Sequence, residues 1–70
     1  MARINITLND KDYTFESDIM NIVELLNKID LKPEGIAVCV NGEIVKKRDY
    51  LNFTLKEGDR VDIITMVGGG

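Results

Sequence analysis

Residues 3 to 8, Arg-Ile-Asn-Ile-Thr-Leu, alternate polar and apolar, with Ile4, Ile6 and Leu8 on one side. A period of two marks a strand with one face buried and the other solvated. Asn9-Asp10-Lys11 has turn composition, and Tyr13 and Phe15 then alternate with Asp12, Thr14 and Glu16. Two such runs joined by a polar turn predict a hairpin. After Ser17-Asp18 the period lengthens: Ile19, Ile22, Val23, Leu26 and Ile29 recur at helical spacing, and Leu25 widens the stripe. A helix is expected from a cap at Asp18 or Ser17 to about Ile29. Lys32-Pro33-Glu34-Gly35 closes off any continuation, because proline lacks the amide proton that a helix interior needs.

Ile36 to Val40 predicts another strand, followed at once by Asn41-Gly42. That dipeptide between β-formers predicts a type I′ turn, which needs positive φ at both central residues. Glu43-Ile44-Val45 is then a short returning strand. Residues 46 to 57 read as a crossing segment with Tyr50, Phe53 and Leu55 as inward anchors, Glu57-Gly58-Asp59 as a turn, and Arg60 to Met66 as the last strand. A single helix laid across one face of a mixed sheet of four to five strands buries both amphipathic surfaces at once. The expected class is therefore α+β, with a β-grasp (ubiquitin-like) architecture. At 70 residues the chain supports one core, expected over residues 1–67, with 68–70 as a flexible glycine tail.

Alternation also assigns the sheet faces. If Ile4, Ile6, Leu8, Tyr13, Phe15, Ile36, Val38, Val40, Val61 and Ile63 face the helix, the outer face carries Arg3, Asn5, Thr7, Ala37, Cys39, Asp62, Ile64 and Met66. Most of these are polar. Ala37, Cys39, Ile64 and Met66 are not, and with the third strand beside the last they form one shallow apolar patch. Such a patch is either a docking surface or an incidental feature of a small monomer.

Composition narrows the chemistry. With no histidine and one cysteine, Cys39, the chain has no disulfide pair, no Cys/His metal spacing and no Ser/His/Asp or Cys/His catalytic set. Cys39 reads as a small packing residue, since no histidine can lower its pKa as a reactive thiol requires. A single thiol, no apolar run of roughly 20 residues and no signal-peptide pattern point to the cytoplasm. The net charge of -3 argues against nucleic acid as a partner. Lys46-Lys47-Arg48 is the one basic cluster, either a solvated turn or a contact for an acidic partner.

The sequence closes on Val67-Gly68-Gly69-Gly70. Three glycines are costly to order and offer no side chain to a core, so on composition alone they could be a frayed end. They also suit entry into a narrow channel, since no Cβ meets the walls. At roughly 3.3–3.6 Å per residue, three residues reach about 10 Å, enough to deliver a carboxylate to a partner's active site. A carboxylate is a poor electrophile until a partner joins it to AMP; the chain would then act as a group carrier, with the hard chemistry done elsewhere.

The segments Val38-Cys39-Val40-Asn41-Gly42-Glu43-Ile44-Val45 and Gly58-Asp59-Arg60-Val61-Asp62-Ile63-Ile64, followed by Val67 and the glycines, resemble the ThiS family of thiamine-biosynthesis sulfur carriers. The resemblance spans the chain and is concentrated in residues 36 to 70. It implies a protein that is a co-substrate of enzymes, monomeric when free and binding no cofactor of its own. A ThiF-like partner uses ATP to adenylate the terminal glycine, here Gly70. The adenylate becomes a thiocarboxylate, and a ThiG-like thiazole synthase takes the sulfur. Gly68 and Gly69 would thread the partner's channel, while Ala37, Cys39, Ile64 and Met66 would dock. Where many relatives have Pro and Arg after Ile-Val and Trp three residues later, this chain has Lys46, Lys47 and Tyr50, and Gly68 lengthens the tail. The molybdopterin-synthase small subunit is a neighbouring alternative, although it tends to carry Pro-Pro before its glycines where this chain has Thr65-Met66-Val67. A ubiquitin-like protein modifier is another.

Overall fold

The computed structural model describes residues 3–17 and 20–65. Strands β1 (Ile4–Leu8) and β2 (Lys11–Phe15) form the first hairpin. A short strand β3 (Met20–Asn21) leads into helix α1 (Ile22–Lys28). β4 (Ile36–Val40) and β5 (Glu43–Val45) form the second hairpin. A 3-10 turn at Lys47–Asp49, the short strand β6 (Thr54–Leu55) and the last strand β7 (Arg60–Thr65) complete the chain. The main sheet has the order β2-β1-β7-β4-β5, and β3 pairs with β6 in a two-stranded ladder. β7 lies at the centre, parallel to β1 and antiparallel to β4.

The core is the layer between sheet and helix. Ile4, Ile6, Leu8, Val38, Val40, Val45 and Val61 from the sheet meet Ile22, Leu25 and Leu26 from α1, closed at the sides by Met20, Tyr50 and Leu55. The expected inward set holds, with one correction. Tyr13 pairs with Ile6 and Phe15 with Ile4, so both share the helix-side face. Tyr13 nevertheless remains 38% exposed, because β2 is an edge strand, and its ring stacks on Phe15 at 6.1 Å between centroids.

The helix starts later than its sequence spacing predicts. Its cap is Asn21, not Asp18 or Ser17; Asp18 and Ile19 lie outside the described residues. Pairing of Met20 with Leu55 and Asn21 with Thr54, plus the Ile22 N–H on Tyr50 O at 3.1 Å, keeps the chain extended up to the cap. Asn21 Oδ1 accepts from Glu24 N at 2.8 Å and Glu24 Oε1 accepts from Asn21 N at 3.0 Å, a reciprocal capping box. At the other end Asp30 adopts φ 58, its N–H donates to Asn27 O, and Leu31 N–H donates to Leu26 O. This Schellman closure ends the helix before Pro33 is reached. Val23, placed in the apolar stripe by its spacing, is 37% exposed; the inward residues are Ile22, Leu25 and Leu26, with Ile29 half-buried. The 46–57 segment contributes Tyr50, Leu55 and half-buried Phe53 as expected, and its β6 ladder was not anticipated.

Candidate functional site

Both hairpin turns use an asparagine in the left-handed region, a conformation that Asn tolerates better than most residues. Asn9 has φ 48 and Asn41 has φ 51. Each grips the central strand β7 from a different side. Asn9 N–H donates to Val61 O at 2.9 Å, its Oδ1 accepts from Ile63 N at 2.7 Å and its Nδ2 donates to Ile63 O at 3.3 Å. These bonds carry the β1–β7 ladder beyond the end of β1. On the other side Asn41 N–H donates to Arg60 O at 2.7 Å, and Asn41 Oδ1 accepts from Arg60 N at 3.0 Å. The strand that leads to the glycine segment is therefore fixed by backbone and amide bonds on both edges.

Beyond Ile63 the support becomes one-sided. β4 still pairs with β7 through Ala37 with Ile64 and Ile36 with Thr65, while β1 pairs only as far as Leu8 with Val61. The last described residues of β7, Ile64 and Thr65, thus pair on the β4 side only.

The outer face carries the apolar patch. Ala37 and Cys39 are half-buried on β4, and Ile64, directly opposite Ala37, is 53% exposed. The structure adds Ile44, paired with Cys39 and 73% exposed. That residue was legible in principle: a two-residue turn at Asn41-Gly42 pairs Val40 with Glu43, so Ile44 must lie beside Cys39 on the outer side. Met66, Gly68, Gly69 and Gly70 fall outside the described residues, so the structure brings together three of the four residues expected to dock and places none of the tail.

Charges border this face. Arg60 Nη2 meets Asp10 Oδ1 at 3.2 Å and Arg60 Nε meets Asp62 Oδ2 at 3.8 Å, all on exposed side chains. Such pairs contribute little to stability but set the polarity of the rim. In the turn before β7, Glu57 Oε1 accepts from Asn5 N at 2.8 Å and Oε2 from Asn5 Nδ2 at 2.9 Å. The Asn5 backbone amide and then its side-chain amide hold the Glu57 carboxyl below the ordinary carboxylate range. Among the described residues no helix is long and apolar enough to cross a membrane.

A five-stranded mixed sheet with one helix across it places the protein in the ubiquitin-like β-grasp class. Similarity to known proteins is more specific. The ThiS family model matches residues 2–70. Sulfur carrier protein ThiS of Bacillus subtilis (strain 168) is 34% identical over 65 residues, covering 93% of this chain and 98% of that protein. A crystal structure of the thiamine biosynthesis protein ThiS from Geobacter metallireducens matches with a TM-score of 0.86 and 32% identity, covering 96% of this chain and 100% of that one. A thiazole synthase from Paramagnetospirillum magneticum is 28% identical over 67 residues, 96% of this chain but only 20% of that enzyme. The chain belongs to the ThiS family, the sulfur-carrier family of thiamine biosynthesis.

Proposed function

We propose that this chain carries sulfur as a thiocarboxylate on Gly70, acting as a co-substrate rather than a catalyst. A ThiF-like partner activates the Gly70 carboxylate with ATP, forming an acyl-adenylate and releasing pyrophosphate. A donor sulfur then displaces AMP, and a ThiG-like thiazole synthase receives the sulfur. Gly68 and Gly69 pass through the partner's channel without a Cβ to obstruct them, separate from the folded unit of residues 1–67. Ala37, Cys39, Ile64 and Met66 dock against the partner, and Ile44 joins them.

Family membership supports the chemistry. The observation that carries the geometry is the position of the apolar face: Ile64 stands on the last strand, one residue before the final ladder pair and six before Gly70. Docking that face therefore fixes the tail's point of departure. That a thiazole synthase contains a segment similar to nearly this whole chain supports a ThiG-like partner.

The test is intact mass after incubation with ATP, the activating enzyme and a sulfur donor. An increase equal to replacing one oxygen by sulfur, lost when Gly69 and Gly70 are deleted, is the expected result. A competent activating enzyme that leaves neither adenylate nor thiocarboxylate on the chain overturns the proposal.

A further inference from the structure

The 3-10 turn at Lys47–Asp49 divides its charges between two grooves. Asp49 lines one, together with Glu43 and Ile44. Lys47 and Arg48 line the other, a cavity of about 180 Å³ between α1 and the 47–51 segment. Its lining includes Val23, Leu26, Leu31 and Leu51, and no acidic residue. Leu51 is 66% exposed, and Val23 and Leu31 are each 37% exposed. A cavity of roughly 150 Å³ holds a benzene ring, so this one has room for a large aliphatic or aromatic side chain.

The lining reverses the sign of the molecule: two cations and no anion, on a chain of net charge -3. Lys47 Nζ reaches Glu34 Oε2 at 3.4 Å, but both side chains are well exposed, and such a pair exchanges readily for another carboxylate. Arg48 has no ion-pair partner among the described residues. Apolar walls with cations on the rim select an apolar side chain flanked by carboxylates. A second copy of this chain would offer Glu43 and Asp49 beside exposed Ile44, but that contact joins two different faces, so it is head-to-tail and builds rings or open chains rather than a two-fold dimer.

We propose that this groove docks a short acidic segment of a partner protein, with one large apolar side chain seated between α1 and Leu51 and flanking carboxylates on Lys47 and Arg48. The groove lies on the helix side of the sheet, opposite the face bearing Ile44 and Ile64. Its occupant can therefore bind while the outer face is engaged, and the inference does not depend on the chemistry of the tail.

The experiment is an amide-resolved NMR titration of the isotope-labelled full-length chain. The probe is a pool of blocked hexapeptides with two acidic residues on each side of two positions drawn from Leu, Ile, Met and Phe. One control pool replaces the acids by Lys and another replaces the apolar pair by Gly. The acidic apolar pool is expected to give saturable shifts at Val23, Asn27, Arg48 and Leu51, with Cys39 and Ile64 unmoved. Arg48→Glu and Leu51→Ser, both on exposed positions that leave the core intact, are each expected to weaken binding roughly fivefold or more. Equal binding of either control pool, no saturable shift from the acidic pool, or shifts centred on Cys39 and Ile64 overturns the proposal. So do shifts of the groove amides on simple dilution of the chain, which assign the groove to a second copy.

Discussion

Asn41 Nδ2 donates to Asp59 Oδ1 at 3.0 Å, joining the β4–β5 turn to the turn that launches β7. The same asparagine accepts from Arg60 N at 3.0 Å, and the second oxygen of Asp59 accepts from Lys56 N at 2.7 Å. One residue thus serves its own turn through its positive φ and serves the central strand through its amide. Asn41-Gly42 and Gly58-Asp59, separate motifs along the chain, are two halves of one junction.

Substitution at Asn41 should separate these roles. Asn41→Gly retains the left-handed conformation and loses the side-chain bonds, so a loss of about 1 kcal/mol is expected. Asn41→Ala loses the same bonds and adds the cost of a Cβ at positive φ, for a total of about 2–3 kcal/mol. Urea unfolding of the two variants checks the order; equal stabilities would mean that the backbone conformation costs nothing here.

Core and outer face should respond in opposite ways. Leu25 is fully buried between helix and sheet, and Leu25→Ala is expected to cost about 2–5 kcal/mol. Ile44→Ser removes an exposed side chain and should change stability by no more than about 0.5 kcal/mol. Under the proposed docking, it should still weaken binding to the activating enzyme, measured by calorimetry alongside the unfolding curves.

Glu57 predicts an acid-side loss of stability. Its folded pKa lies below the ordinary 4.5 because Asn5 donates to the carboxylate from both backbone and side chain. The unfolded state then binds the proton more readily, so the contribution is fully present above the unfolded pKa and is lost as pH falls through the folded one. Glu57→Gln should flatten the fall of the urea midpoint between about pH 5 and pH 3 and leave its slope near neutrality unchanged. An unaltered acid limb would assign that loss to other carboxylates.

The capping box at Asn21 offers a local test. Asn21→Ala removes the acceptor for Glu24 N and is expected to cost about 1 kcal/mol. Asn21→Asp keeps an acceptor, and its charge suits a helix N-terminus, so thermal unfolding followed by circular dichroism should show it near the parent.

Much of this architecture was readable before any tertiary contact was known. Strict alternation over Ile4 to Leu8 assigned the buried face of the first strand, since a period of two leaves no freedom about which side a residue takes. Asn41-Gly42 located its hairpin because few dipeptides accept positive φ twice. The resemblance to ThiS was carried by residues 36 to 70, and the family match covers residues 2–70. The helix start failed for a nonlocal reason: a ladder with Thr54–Leu55 keeps Met20–Asn21 extended, although the apolar spacing runs through them.

The sequence by itself determined the order of the helix and the five main strands, most of the inward apolar set and the candidate chemistry of the glycine segment, because these follow from local periodicity and residue type. Tertiary structure decided what the tail's root is attached to. It placed β7 between β1 and β4, locked by Asn9 and Asn41, and opened a basic-rimmed groove under α1. Each joins residues remote in the chain. A pattern along the chain records which side of an element is apolar, whereas only closure of the sheet records what stands on the other side of the gap.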